Sequence, residues 1–503
     1  MNAIIRAVES TAKQAPARIA LQGRNASLSF ATLWQEIKAT QAIMRKHRMQ
    51  RVGLLMDNGP AWAVIDLAAL SGEAVLVPLP AFFTDDQLLH VITSASLDTI
   101  ITDNPGRLTP LLPSVLVRPR PRIAGQNIWQ LSLSAQQKTP LPAGTVKITF
   151  TSGTTGAPKG VCLTENVLCG VARSLSELTT VQDNDKHVAL LPMAVLLENI
   201  AGLYVSLLRG VPCSLPSLGD LGMDGSRMSD LSKMFAVIKE QEATSIILIP
   251  QMLQALIFAV SNGLALNSLR FAAVGGASVS PVLLEQAANM GLPVFEGYGL
   301  SECASVVAVN TPEAIRRGSV GKPLPHLKVD IAADNEIMVS GPVYAGYLGD
   351  ASYQGERTLA TGDLGYLDDD GYLYVNGRKK NVFITSFGRN VSPEWIEREV
   401  HAQPAIAQAV VFGESRPWNT AVVVPRKGAA LSDVSAAIRI ANRALPDYAQ
   451  ISAWIQADAP FSTSNKQYTA NGRPRREHIW NHYAERINQL YEPESKRYSE
   501  ISQ

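Results

Sequence analysis

Apolar and polar positions along the chain fall into two alternating textures over its first half. "LSFATLWQEIKATQAIMRKHRMQ" places apolar residues at helical spacing and predicts a helix. "RVGLLM" then reads as a buried strand, "PAWAVIDLAALSGE" as a helix and "AVLVPLP" as a second strand. "TDDQLLHVITSAS" and "LDTIITD" repeat the helix–strand alternation, and "HVALLPM", "AGLYVSLLRG", "SIILIP" and "LRFAAVGG" continue it. Strands interleaved with helices predict βαβ units around a largely parallel sheet.

From about Gly318 the texture changes. Short strands ("LKVDIA", "NEIMVSGP", "GYLYVNG") separated by Gly and Asp-Gly turns predict a small antiparallel subdomain. After "VNGRKKN" a further unit begins. "SPEWIEREVHA", "IAQAVVFG", "NTAVVVPR" and "LSDVSAAIRIANRALP" predict a compact α+β domain. The expected fold is α/β: a large N-terminal domain of βαβ layers carrying the antiparallel β subdomain, residues 1–377, and a small mobile α+β C-terminal domain, residues 378–503.

Composition narrows the classes. The chain has 503 residues, 46% hydrophobic and 18% charged, which predicts packed domains rather than disorder. A net charge of +1 leaves no electrostatic footprint for nucleic acid. Cys162, Cys169, Cys213 and Cys303 form no CxxC pair and stand at no metal-ligand spacing. No zinc site or disulfide framework is expected, and a cytoplasmic setting is the simplest. The N-terminal residues lack a signal-peptide core. The longest apolar run, Ser245 to Val260, is broken by Pro250, Gln251 and Gln254, so no transmembrane segment is expected.

One stretch carries chemistry. "TFTSGTTGAPKGV", Thr149 to Val161, follows a strand directly. Its glycines free backbone N–H groups to face an anion, its Thr and Ser add hydroxyl donors, and Lys159 adds a point charge. This is the chemistry of a polyphosphate cradle. Gly-Lys-Ser/Thr is absent, so it is not a Walker A loop. A flexible linker of similar composition is the alternative.

"FTSGTTGAPKGV" resembles the phosphate loop of the adenylate-forming enzymes, which include acyl-CoA synthetases, aryl-acid ligases, luciferases and peptide-synthetase adenylation domains. "VGGASVSP" is similar to the family's adenine-side turn and "EGYGLSE" to its Tyr-Gly-x-Thr/Ser-Glu motif. "TGD", "NGRKKNVFITSFGRNVSPEWIE" and "TANGRPRREHI" follow in the family's order.

The resemblance implies that a carboxylate attacks the α-phosphorus of ATP to give an acyl-adenylate, and that a thiol then displaces AMP. ATP, Mg²⁺ and coenzyme A are the implied cofactors, with an acyl-carrier protein as alternative acceptor. It implies that Thr151, Ser152, Gly153, Thr154, Thr155, Gly156 and Lys159 hold the β- and γ-phosphates. Tyr298 would stack on adenine beside Gly276, Ala277 and Gly299. Ser301 would touch the α-phosphate and Glu302 would hold Mg²⁺. Asp363 would accept from the ribose hydroxyls, and Arg378 would reach the ribose or the phosphates. The small domain would pivot at Lys380 and Asn381, with Asn381 at a usually acidic position. Gly388 would meet the thiol acceptor. Lys379 and Lys380 read otherwise as a solvated basic face.

Two departures from the family pattern stand out. The closing motif places Arg473 where a lysine is usual, and the two cations are not interchangeable at a tight site. Lys466, seven residues earlier, reads as a surface lysine. In "LLPMAVLLEN", Val195 replaces a frequent His, and no acidic residue is aligned to hold an α-ammonium. Ala194, Val195 and Leu196 therefore suggest an apolar acid. The loop spacing from Arg378 to Pro393 matches long-chain acyl-CoA synthetases. A fatty-acid–CoA ligase is expected. An aryl-acid ligase and a degenerate nucleotide-binding protein are the alternatives.

Overall fold

The computed structural model describes residues 2–24, 26–134, 138–151, 158–224, 227–350, 357–469 and 472–491. The large domain is built on two sheets. In one, the parallel strands His187–Val188, Ser245–Leu248, Phe271–Val274 and Val294–Tyr298 lie side by side. Both faces are covered, so these segments are almost wholly apolar and read as runs rather than alternations.

The second sheet has parallel Arg51–Leu55, Val75–Pro78, Thr99–Thr102 and Thr145–Thr151 at its centre. Its edges are antiparallel, which the helix–strand alternation did not foretell. Leu116–Ile123 pairs with Gln126–Ser132 through a tight Ala124-Gly125 turn, and Thr145–Thr151 pairs with Lys159–Thr164 across the glycine-rich loop. The stretch expected as one long helix near the N-terminus begins instead with the strand Ser27–Ser29, and the helix is Phe30–Lys46. Ser29 caps it by accepting from Thr32 N–H at 3.2 Å, which ends the strand and starts the helix at one residue.

A buried charge ties the second sheet to the helices that cover it. Lys147, in the strand that feeds the glycine-rich loop, places Nζ 2.6 Å from Asp66 Oδ1 and 2.8 Å from the Tyr204 hydroxyl, and also meets Asn199. Asp66 sits on the helix Pro60–Ala68, while Asn199 and Tyr204 lie on the wide helical turn Glu198–Tyr204. Burial lowers the ammonium's pKa and the Asp66 carboxylate opposes that shift. Every donor of the ammonium finds an acceptor, as a buried charge requires.

The antiparallel subdomain is a four-stranded sheet containing Lys328–Ile331, Glu336–Gly341, Arg357–Leu367 and Leu373–Arg378. The C-terminal domain follows. Its helices Pro393–His401 and Leu431–Asn442 pack on the strands Ile406–Phe412, Asn419–Pro425 and Ile451–Gln456 around a separate apolar core. Among the described residues no helix is long and apolar enough to cross a membrane.

Candidate active site

Three parallel strands end at one crevice. Ser245–Leu248, Phe271–Val274 and Val294–Tyr298 run into Ile249-Pro250, Gly275-Gly276 and Gly299, and all these residues line a cavity of about 1290 Å³. Ligands in open parallel sheets bind at such carboxyl ends. The turn after Tyr298 is tightly constrained. A Cβ on Gly299 would lie 1.8 Å from the Ser305 carbonyl oxygen, so only glycine fits. Ala304 and Ser305 take positive φ of 49° and 88° just after the short turn Ser301–Cys303 that carries Ser301 and Glu302. Gly276, at φ +83°, makes the opposing turn.

Tyr298 and Arg378 line the cavity and form a polar triad with Asp363, which is buried and is not itself a lining residue. Asp363 and Arg378 are register partners on neighbouring antiparallel strands. Arg378 Nε lies 2.6 Å from Asp363 Oδ1, and the Tyr298 hydroxyl donates to Oδ2 at 2.6 Å. Burial raises the Asp363 pKa, opposed by Arg378 and by the Tyr298 hydrogen bond. Thr361 Oγ1 accepts from Asp363 N–H at 3.1 Å and fixes the backbone.

Arg473 arrives from the C-terminal domain. Its N–H donates to Thr469 Oγ1 at 3.0 Å, and Thr469 N–H donates back to its carbonyl at 2.8 Å. Arg473 is exposed and lines the cavity. Burial and then Arg378 depress its pKa, while Asp363, Glu302 and Tyr298 oppose the depression. Arg473 lines the same cavity as Tyr298, Glu302 and Arg378. Lys466 is exposed and is not among the residues lining the cavity. Arg476 anchors the motif through two contacts of 2.6 Å to Glu397.

Glu302 Oε1 accepts from the Tyr347 hydroxyl at 2.9 Å, and Lys159 Nζ stands 5.6 Å from the centre of the Tyr347 ring. Lys159 is exposed at the rim and does not line the cavity wall. Ser152, Gly153, Thr154, Thr155 and Gly156 lie outside the described residues; Thr151 lines the cavity. Gly276, Ala277, Tyr298, Gly299, Ser301, Glu302, Arg378, Ala194, Val195 and Leu196 line the same cavity.

Other expectations fare differently. Lys380, read as part of a solvated basic face, is exposed and also lines the cavity, and partial burial lowers its pKa. Lys379 does face solvent, paired with Asp334 and Glu336 at 2.6 and 2.7 Å. The helical period cannot separate these two adjacent residues, because they lie in a three-residue turn at the domain junction. Asn381 contacts Glu394 of the C-terminal domain. Gly388, at φ +71°, sits in an exposed hairpin turn away from the cavity. Tyr347 escaped the sequence reading. It is a lone aromatic in a two-residue strand, and only the pairing of Gly346–Tyr347 with the strand Lys159–Thr164 brings it to Glu302.

Two family models match nearly the whole chain: AMP-binding enzyme over residues 8–348, and AMP-binding enzyme C-terminal domain over residues 380–495. The chain belongs to the AMP-binding enzymes. It is 24% identical to the long-chain-fatty-acid–CoA ligase FadD15 of Mycobacterium bovis, covering 88% of each chain. It is 29% identical to the 2-succinylbenzoate–CoA ligase of Bacillus cytotoxicus, covering 80% of this chain and 83% of that one. Among solved structures it resembles O-succinylbenzoate coenzyme A synthetase from Bacillus subtilis in complex with AMP, with a TM-score of 0.73, 24% identity and coverage of 94% and 97%. It also resembles the anthranilate CoA ligase AuaEII bound to anthranoyl-AMP, with a TM-score of 0.79, 18% identity and coverage of 96% and 97%.

This AMP-binding enzyme is an adenylate-forming acid–CoA ligase, and such ligases use ATP, Mg²⁺ and coenzyme A. The crevice fits an adenine nucleotide: glycine turns allow close approach, and Arg378, Lys380 and Arg473 line it with positive charge suited to phosphate. No cluster of three or more His, Cys, Asp or Glu among the described residues could hold a metal unaided. A single carboxylate, Glu302, suits Mg²⁺, which takes most of its ligands from phosphates and water.

Proposed function

We propose that the chain joins an apolar carboxylic acid, a fatty acid in the first instance, to coenzyme A through an acyl-adenylate. The observation that carries this reading is the cavity wall away from the nucleotide crevice. Leu191, Ala194, Val195, Leu196, Ala201 and Val205 line it with aliphatic side chains. Arg270, a cation on the same lining, is neutralised by Asp185 in a two-pronged ion pair. A wall of this kind gains from an alkyl chain about 25 cal/mol for each Å² removed from water and offers no counter-ion to an ammonium.

The residues divide the work. Asp363 accepts the ribose hydroxyls, and Arg378 holds Asp363 in place. Arg473, Ser301 and Lys159 place positive charge and a hydroxyl donor around the phosphates as negative charge develops on the leaving pyrophosphate. Glu302 holds the metal that neutralises the phosphates. Lys380 and Asn381 form the pivot about which the C-terminal domain turns before thioester formation, and Gly388 lies on the surface that then meets the acceptor.

A second reading, an aryl acid, draws support from Phe82, Phe83, Phe150 and Phe271, and from His187 and Ser245 as polar anchors on the same lining. Relatives that act on 2-succinylbenzoate point the same way. The two readings separate on one substitution. Val195→Phe shortens the accepted alkyl chain and lowers kcat/KM for the longest good substrate by about tenfold if the chain runs along this wall. An unchanged chain-length profile, with benzoates preferred throughout, would replace the fatty-acid reading by the aryl one.

A further inference from the structure

The C-terminal domain is joined to the large one by a side-chain amide used at both ends. Gln254 lies on the helix Pro250–Ser261, one turn beyond Pro250 and Gln251, which line the cavity. Its Oε1 accepts from Arg426 Nη2 at 2.6 Å, and its Nε2 donates to the His401 carbonyl at 3.3 Å. Arg426 and His401 both belong to the C-terminal domain. His401 is the last residue of the helix Pro393–His401, where carbonyls lack an intrahelical donor, so Gln254 caps that helix across the domain boundary. Arg426 is held for the contact by a second bond, from Nε to the Pro404 carbonyl at 2.8 Å. A longer contact, Ser280 Oγ to Glu399 Oε2 at 3.5 Å, lies on the same seam.

We propose that Gln254 is a positioning residue that latches the C-terminal domain in the orientation bringing Arg473 into the crevice. This rests on the two-orientation reading above. Gln254, Arg426 and His401 do not line the cavity, so their effect on the reaction passes through the domain they hold. The latch is two hydrogen bonds, one of them to a cation. Such bonds are worth little net against water, so they bias the orientation and still release it. When the domain turns, the His401 carbonyl, the Gln254 amide and the free end of Arg426 can all be solvated. Sharing one amide makes both bonds fail together.

The test is a distance measurement that needs no knowledge of the acid. All four native cysteines are buried. Spin labels on Glu240→Cys and Arg439→Cys, both exposed, therefore report the separation of the two domains. With a non-hydrolysable ATP analogue and Mg²⁺, the parent shows mainly the distance of the present arrangement. Gln254→Ala is expected to move the ratio of the two orientations about tenfold toward the second. Arg426→Ala, which removes one of the two bonds, should move it part of the way, and the double variant should move it little further than Gln254→Ala alone. In parallel, Gln254→Ala lowers ATP–pyrophosphate exchange but does not lower thioester formation from supplied dodecanoyl-adenylate and coenzyme A. An unchanged distance distribution in Gln254→Ala, or equal loss in both half-reactions, would overturn the latch. A single distance in the parent under both the ATP analogue and AMP with coenzyme A would instead refute the two-orientation reading, and the latch with it.

Discussion

Asp363 and Arg378 face each other as register partners of two antiparallel strands, with Nε 2.6 Å from Oδ1. Because Tyr298 takes the other carboxylate oxygen at 2.6 Å, the carboxylate is aimed before any nucleotide enters. Pre-orientation of this kind lowers the ordering cost of binding. Asp363→Asn is therefore expected to raise the KM for ATP by about 10–100-fold, with a smaller effect on the KM for the acid. Steady-state kinetics with each substrate varied in turn checks this. An equal rise for both would move Asp363 out of the nucleotide site.

Arg473 stands in the crevice while Lys466 is exposed outside it. Arg473→Ala is expected to lower the first half-reaction by about 10²–10³-fold, and Lys466→Ala to change it by less than about twofold. Arg473→Lys restores part of the rate, because it keeps the charge but loses the forked, planar donor geometry of the guanidinium. A crippling Lys466→Ala would show that the closing motif works through the other cation.

Glu302 accepts a side-chain bond from Tyr347. Glu302→Gln should raise the Mg²⁺ concentration needed for half-maximal turnover by about tenfold or more, and Tyr347→Phe by about threefold, since it removes one positioning bond. Titrating activity with Mg²⁺ at saturating ATP separates the two. An unchanged Mg²⁺ response in both would take Glu302 away from the metal.

The architecture was readable because the buried parallel strands are apolar runs bounded by Gly and Pro, and because "EGYGLSE" and "TGD" put rigid turns where the crevice needs them. What escaped reading depends on contacts far apart in the chain. Tyr347 meets Glu302 across 45 positions, and Lys147 meets Asp66 across 81. No local period announces such pairs. Lys379 and Lys380 look alike in sequence and are both exposed, and only the turn at the domain junction pairs Lys379 with Asp334 and Glu336 and puts Lys380 on the cavity lining.

Glu296 is buried beneath the turn that carries Val279, and burial raises its pKa to about 8, with Arg398 of the C-terminal domain opposing the shift. The folded protein thus keeps a proton that the unfolded chain loses. Its contribution to stability is complete below the unfolded carboxyl range near pH 4.5, and it is lost as pH rises toward 8. Glu296→Gln keeps the neutral shape at every pH. The variant should gain stability over the parent by a few kcal/mol at about pH 8 and little at about pH 5. Urea unfolding at the two pH values measures it, and a difference independent of pH would show that Glu296 is ionised when folded.

The most direct test is acid-dependent exchange of labelled pyrophosphate into ATP, without coenzyme A, across saturated fatty acids of increasing length, benzoates and amino acids. The account predicts exchange with fatty acids, an optimum at one chain length, none with amino acids, and loss of exchange in Arg473→Ala. Binding of ATP with no exchange for any acid would contradict it, and would mark a nucleotide-binding protein in which arginine has replaced the working lysine.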